Sequence, residues 1–224
     1  MFEFIDLSVG YQHAFVSNFS LRNDHCKLIA LSGNNGCGKS TLLKTIAGLI
    51  KPLHGDILLN ANNLNNISIK NRAHLLTLNN LQTERNVFLT VFDYLCLGRL
   101  PYTGLLGKLS KIDIAKVNEY ITLFNLDKFK YQYLNCISEG EFQRIQLAKC
   151  LIQDTALILL DEPTAFMDME NKYSTFRTLR KLAHHQGKTI IVATHDLPFI
   201  EEEADEFWHI QHSIVQISEN RVNV

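Results

Sequence analysis

Apolar residues along this chain of 224 residues follow two rhythms, and the change from one to the other divides it. The opening rhythm is that of strands. Residues 2–7 alternate, with Phe2, Phe4 and Asp6 on one side. Residues 14–21 predict a second strand, Arg22-Asn23-Asp24 a turn, and residues 27–31 a third strand. Over 41–50 the spacing becomes helical: Leu42, Leu43, Ile46, Ala47, Leu49 and Ile50 share a face, and Lys51-Pro52 ends the helix. Residues 56–59 predict a short strand. Residues 60–80 are rich in asparagine and predict a peripheral segment. From 87 to 150 the rhythm is helical, over 90–100, 113–125 and 141–152. Strands return at 156–160 and 189–193, with a helix over 169–184 between them. Residues 207–210 and 214–218 close the pattern.

Apolar strands alternating with helices predict a mainly parallel sheet covered on both faces. The expected fold class is α/β: a phosphate-loop NTPase core, an N-terminal antiparallel β region and an inserted α-helical subdomain. One domain of residues 1–224 is expected, with the core in 1–80 and 153–224 and the helical subdomain in 81–152.

Three motifs carry chemistry, in a fixed order. Gly33-Asn34-Asn35-Gly36-Cys37-Gly38-Lys39-Ser40-Thr41 matches the phosphate loop G-x-x-x-x-G-K-[ST], with a strand before it and a helix after it. Backbone N–H groups of such a turn, with the following helix N-terminus, cradle an anion. Lys39 would reach the β- and γ-phosphates, and Ser40 would ligate Mg²⁺. Cys37 inside the loop reads as a small space-filler or as a thiolate lowered by the helix terminus. Downstream, Leu157-Ile158-Leu159-Leu160-Asp161-Glu162-Pro163 is an apolar strand ending in two acids. That edge of an α/β sheet is where ligands bind. Asp161 suits Mg²⁺, and Glu162 suits a water that must be oriented or deprotonated. The bland alternative is two solvated acids opening a loop. Between these motifs lies Ile137-Ser138-Glu139-Gly140-Glu141. Its Ser-x-x-Glu spacing fits a helix capping box.

Composition narrows the classes. A net charge of −1 leaves no basic footprint for nucleic acid. The longest apolar run falls far short of the ~20 residues of a membrane span. Met1-Phe2-Glu3-Phe4 begins without the basic and apolar regions of a secretory signal, so none is expected. Five dispersed cysteines read as reduced thiols. His184-His185 and His209-x-x-His212 lack the helix-borne acid of a zinc motif and read as surface histidines.

Together these residues give the chain a resemblance to the ATP-binding subunits of ABC transporters, over nearly its whole length. The resemblance makes Gly33–Thr41 similar to Walker A and residues 157–162 similar to Walker B with its catalytic glutamate. Tyr11 resembles the aromatic that stacks on adenine; the competing reading is edge packing. Asp168, in Thr164-Ala165-Phe166-Met167-Asp168, stands at the D-loop. Ala193-Thr194-His195-Asp196 resembles the switch-histidine segment, which implies a γ-phosphate contact for His195. Gln82 is the best match to the Q-loop glutamine, an ATP and Mg²⁺ contact, though its flanks are unlike the usual ones. The family signature is Leu-Ser-Gly-Gly-Gln. Ser138 and Gly140 keep it, while Glu139 and Glu141 depart from it and place two extra carboxylates near an anion site.

The resemblance implies ATP hydrolysis with Mg²⁺ by a head-to-tail dimer. Each ATP lies between Walker A of one copy and the signature of the other. It also implies transmembrane permease subunits as partners, a periplasmic or lipoprotein substrate-binding protein acting indirectly, and a place on the cytoplasmic face of the bacterial inner membrane. Gly98-Arg99-Leu100-Pro101-Tyr102 resembles a stretch common in importers of iron-siderophores, haem and cobalamin. The alternatives are an exporter or a lipid or lipoprotein system, a soluble ABC ATPase without a transport role, and a nucleotide-binding module with weak hydrolysis. Residues 82–106 are apolar for a segment outside the sheet. Val87, Phe88, Leu89, Val91, Phe92, Tyr94, Leu95 and Leu97 lie close together, and Leu100, Tyr102, Leu105 and Leu106 sit on a Pro- and Gly-bearing loop. This segment is either a permease surface or a loop folded onto its own helices.

Overall fold

The structure, a computed structural model, describes residues 1–79, 88–104 and 107–220. A four-stranded antiparallel sheet is built from β1 (Phe2–Gly10), β2 (Ala14–Asn23), β4 (His54–Leu59) and β5 (Asn62–Asn63), in the order β2-β1-β4-β5. A six-stranded sheet holds β3 (Leu28–Gly33), β6 (Leu76–Asn79), β7 (Leu157–Asp161), β8 (Thr189–Ala193), β9 (Glu206–Gln211) and β10 (Ile214–Glu219). Its order is β10-β9-β3-β8-β7-β6, parallel except for β10. The expected fold class is therefore the observed one.

The central strands are apolar on both faces because both faces are covered. Ile29, Leu31, Leu159, Ile191 and Trp208 pack with the antiparallel sheet and α1 (Lys39–Ile46). Trp208 meets Phe2, Phe4 and Phe19 edge-on, at centroid distances of 5.4–6.4 Å. Such pairs contribute about 0.5–1.5 kcal/mol each beyond area burial. Leu28, Ala30, Ile158, Leu160, Ile190 and Val192 face the other way, onto helices α3 (Val91–Cys96), α4 (Lys111–Leu123), α5 (Glu139–Ile152) and α6 (Met169–Gln186). The short helices α2 (Ile69–Arg72) and α7 (Leu197–Ile200) complete the set. Among the described residues from 88 to 152 the only extended pairing is a Thr90–Tyr133 bridge.

Several elements differ from the sequence expectation. Asp6 does not share a side with Phe2 and Phe4. It has φ 47°, the ladder shifts there, and Leu7 takes the buried place. This is a β-bulge, which re-aims every later side chain. Arg22 and Asn23 continue β2 rather than turning. The first helix begins at Lys39 and ends at Ile46, so Leu49 lies outside it and is 67% exposed. The asparagine-rich stretch is not wholly peripheral, because β6 joins the parallel sheet beside β7. Gln153 anchors it, donating to the Ala73 carbonyl and accepting from Thr77 Oγ1. The helix expected over 90–100 stops at Cys96, and residues Leu97–Tyr102 form a 3₁₀ turn.

That turn is fixed by packing. A Cβ on Gly98 would lie 2.6 Å from the Lys149 carbonyl oxygen, so only glycine lets the turn approach α5. Arg99 is buried, donating to Asp113 Oδ1 at 2.8 Å and to the Ile152 carbonyl at 3.0 Å. The Tyr102 ring lies 3.9 Å from the Arg99 guanidinium and edge-on to His74. Tyr102 is thus held against its own chain while staying partly exposed. Val91, Tyr94 and Leu95 are core; Phe88, Leu97 and Leu100 are exposed. Gln82, Val87, Leu105 and Leu106 lie outside the described residues.

Candidate active site

The phosphate loop leaves β3 and enters α1 through Gly38, whose φ is +104° and whose Cβ, if present, would lie 2.4 Å from Phe15 Cβ. No side chain among the described residues caps α1. Its first N–H groups and their partial positive charge are therefore free to meet an anion. Lys39 is buried and arches back over the loop, donating from Nζ to the Gly33 carbonyl at 2.9 Å and the Asn34 carbonyl at 3.4 Å. Cys37 packs against the core on the antiparallel-sheet side, which favours the space-filling reading of its thiol.

The two acids stand at the sheet edge beside this loop. Asp161 ends β7, and Glu162 follows in a left-handed conformation, φ 48°, with its N–H bonded to the Ala193 carbonyl. Glu162 Oε2 accepts from the His195 backbone N–H at 3.3 Å, and Oε1 lies 3.2 Å from His195 Nε2. Oε1 is otherwise buried with no hydrogen-bond partner among the described residues. Burial pushes the Glu162 carboxyl above the usual glutamate range, against the opposing charges of His195 and Lys39.

These pieces surround a cleft of about 350 Å³. Asn35, Gly36, Gly38, Lys39, Ser40 and Thr41 form one part of the wall, and Asp161, Glu162 and His195 another. Tyr11 and Phe15 complete it; Tyr11 is 62% exposed. Gly33, Asn34 and Cys37 are not among the residues that line the cleft. Phe15 went unnoticed in the sequence because it reads as one more apolar residue of a strand.

Ser138, Gly140 and Asp168 are brought together elsewhere, in a second cleft of about 510 Å³ that shares no lining residue with the first. Ser138 caps α5 in the expected capping box: Glu141 N–H donates to Ser138 Oγ, and Ser138 N–H donates to Glu141 Oε2. Ser138 Oγ also donates to Glu141 Oε2 at 2.5 Å. That hydroxyl holds the Glu141 carboxyl below the usual range. One of the two extra carboxylates of the signature is therefore turned back onto its own helix terminus. Gly140 sits under the Phe166 carbonyl, 2.7 Å from where a Cβ would be. Asp168 caps α6, accepting from the Asn171 N–H and Nδ2, and Arg144 donates to Asn171 Oδ1. Arg144 and Lys128, neither singled out in the sequence, line this cleft as cations.

Gln143 joins the two regions. It is almost fully buried in α5, donates to the Glu162 carbonyl at 2.8 Å and accepts from the Phe166 N–H at 2.8 Å. The sequence signal was a pair of glutamines, Gln143 and Gln146, spaced three apart among apolar helix positions. Gln82 cannot be placed, lying outside the described residues.

A phosphate loop at the edge of a parallel sheet, faced by an acid pair, defines a phosphate-loop NTPase. The family model for the ABC transporter matches residues 16–165. The chain is 36% identical over 193 residues to the achromobactin transport ATP-binding protein of Dickeya dadantii, covering 86% of this chain and 72% of that one. It is 35% identical over 207 residues to a petrobactin import ATP-binding protein of Bacillus anthracis, covering 92% and 76%. A dimeric ATP-binding cassette in a post-hydrolysis state, bound to ADP and Pi, superposes with a TM-score of 0.86 at 23% identity over 99% of both chains. The chain belongs to the ABC transporter family, as one of its ATP-hydrolysing subunits. No helix among the described residues is long and apolar enough to cross a membrane.

Proposed function

We propose that this chain powers an importer of iron chelates, with siderophores as the best-supported cargo. The observation that carries the catalytic part is the single cleft uniting Lys39, Ser40, Asp161, Glu162 and His195. The cargo rests on the relatives, whose names specify achromobactin transport and petrobactin import. Residues 81–152 would be the subdomain that faces the permease, and 1–80 with 153–224 the core. Exposed Phe88, Leu97 and Leu100 offer it an apolar surface. The permease would hold the chain on the cytoplasmic face of the inner membrane, and a substrate-binding protein would act through the permease.

In this reading Tyr11 stacks on adenine, and the loop N–H groups with Lys39 hold the phosphates. Ser40 and Asp161 are oxygen donors that line the same cleft, which fits Mg²⁺, with Gln82 as a further ligand. When bound, Mg²⁺ neutralises charge on the β- and γ-phosphate oxygens. The orphaned buried Oε1 of Glu162 fits an attacking water. Glu162 takes its proton as the water oxygen bonds to the γ-phosphorus and the bond to the β–γ bridging oxygen breaks. ADP leaves with phosphate. His195 holds the γ-phosphate side of the water. Ser138, Gly140 and Asp168 of a second copy would complete the site, since they lie too far round this chain to share its first cleft.

Three measurements test this. Glu162→Gln with ATP and Mg²⁺ is expected to sediment as a stable dimer; a monomer would count against the shared site. Cells lacking the chain are expected to lose uptake of ferric siderophores, and unchanged uptake would remove the cargo assignment. Leu100→Glu is expected to end co-purification with the permease while leaving ATP affinity intact.

A further inference from the structure

We propose that Lys172 is a positioning residue for ATP hydrolysis, acting on His195 through Asp196. The inference rests on the reading of His195 as a γ-phosphate contact. His195 is exposed in the first cleft and follows β8 on a short segment whose neighbours are all anchored. Thr194 is buried, and its Oγ1 accepts from the Asp196 N–H at 2.9 Å. The Asp196 carboxylate is gripped at both oxygens. Oδ2 accepts from Thr164 Oγ1 at 2.7 Å, and Oδ1 accepts from Lys172 Nζ at 2.6 Å. Thr164 is fully buried, and Lys172 and Asp196 are each only 17% exposed in their side chains. Lys172 Nζ also lies 5.3 Å from the Phe199 ring centroid, so α7 closes the pair from one side.

A charge-assisted bond in such partial burial is shorter and about twice as strong as a neutral one. It holds the backbone on the C-terminal side of His195, while Glu162 Oε2 holds the His195 N–H itself. Removing the ammonium leaves Asp196 with one partner and a poorly solvated negative charge. The carboxylate then turns toward water, and the His195 segment loses its fixed place. Lys172 itself does not line the first cleft, so it acts on the reaction only through Asp196.

The geometry also gives the network a second end. Thr164 opens the segment that runs to Asp168 in the second cleft, and Lys172 stands one turn into the helix that Asp168 caps. The setting of His195 is therefore tied to the segment that lines the other cleft.

The test uses the purified full chain and four single variants, Lys172→Met, Lys172→Arg, Asp196→Asn and His195→Ala, with the double variant Lys172→Met/Asp196→Asn. Lys172→Met is expected to lower kcat for ATP about tenfold at unchanged KM, since misplacing a catalytic group by a fraction of an ångström acts on the chemical step. Lys172→Arg keeps the charge and is expected to restore kcat to within about twofold. The double variant is expected to be no slower than the slower single one, because both remove one link. Wild-type kcat in Lys172→Met, failure of Lys172→Arg to recover kcat, or additive losses in the double variant would each overturn the proposal. So would a rise in KM with a loss of melting temperature, which marks a merely structural role. His195→Ala separates the two readings. If it hydrolyses ATP at the wild-type rate, the reading of His195 falls. If it is slow while Lys172→Met is not, only the role of Lys172 falls.

Discussion

Both clefts carry polar groups, but they hold them in opposite ways. In the first, capacity is left over: among the described residues, no side chain caps α1 and a buried oxygen of Glu162 lacks a hydrogen-bond partner. In the second, the groups have already found each other. Ser138 is closed on Glu141, and Asp168 on Asn171, which Arg144 also holds. A ligand entering the first cleft meets helix N–H groups that no described side chain caps, while Lys39 must give up its bonds to the Gly33 and Asn34 carbonyls. A ligand entering the second must exchange bonds that exist, and the net gain of an exchanged hydrogen bond is only about 0.5–1.5 kcal/mol. The first cleft is thus built to bind on a single chain. Under the proposed function, the second would act only when a partner copy brings additional contacts.

The comparison breaks most visibly at Glu162. Glu162→Gln is expected to slow hydrolysis about 10³-fold, near 4 kcal/mol, with ATP affinity preserved. Wild-type turnover would remove it as the base. Its raised carboxyl also sets a direction for pH. The base form is populated only above the raised value, so kcat is expected to fall on acidification at a pH above the ordinary glutamate range. A pH–rate profile whose acid limb sits at the ordinary value would contradict this.

Next in size is Lys39→Ala. Losing the ammonium inside the loop is expected to weaken ATP binding by the isolated chain about 10²-fold, or 2.7 kcal/mol, measured by titration. Gly140→Ala sharpens the contrast. Its new Cβ meets the Phe166 carbonyl at 2.7 Å and must displace the segment leading to Asp168. Dimer formation in the Glu162→Gln background is expected to weaken about tenfold. ATP binding by the single chain is expected to stay unchanged, and a change there would mean that the clefts are not separable.

The smallest effect is Ser138→Ala. Loss of the capping box is expected to cost about 1 kcal/mol of stability, or a melting temperature lower by about 2–4 °C. Because Ser138 depresses the Glu141 carboxyl, this stabilisation is present above the ordinary glutamate pKa and lost as pH falls through the depressed one. The gap between wild type and variant is therefore expected to narrow in acid, as melting curves across pH would show.

Much of the first cleft was legible because its chemistry is contiguous. The loop from Gly33 to Thr41 and the strand ending at Asp161 each carry their own context, a strand before and a helix or turn after. The capping box at Ser138 was legible for the same reason, since its four residues act locally. What escaped depends on distant partners. β6 carries only Leu76 and Leu78 amid polar residues, and its place in the sheet is set by β7, some eighty residues on. Phe15 matters because Gly38 comes under it, and Gln143 because Glu162 and Phe166 turn toward it. The turn at Asp6 is a local choice between two alternating faces. Sequence alternation alone could not show the slip that sends Asp6 outward and Leu7 inward. At Gly98-Arg99-Leu100-Pro101-Tyr102 a family likeness was readable, but the reason for the residues was not: each of Gly98, Arg99 and Tyr102 answers to a neighbour on another element.

Glu162 is held in a backbone shape that suits glycine or asparagine, with its carboxyl in surroundings that disfavour its charge. Each circumstance works against the folded chain, and neither would survive if durability alone were selected. The residue at which hydrolysis is proposed to occur is thus also one the fold tolerates least willingly. A lineage released from the proposed transport task would be free to drift away from glutamate there, gaining robustness as it lost turnover. A change at this one position would mark lost turnover while the phosphate loop stayed intact, since the positive φ of Gly33, Gly36 and Gly38 asks for glycine whatever the chain's task.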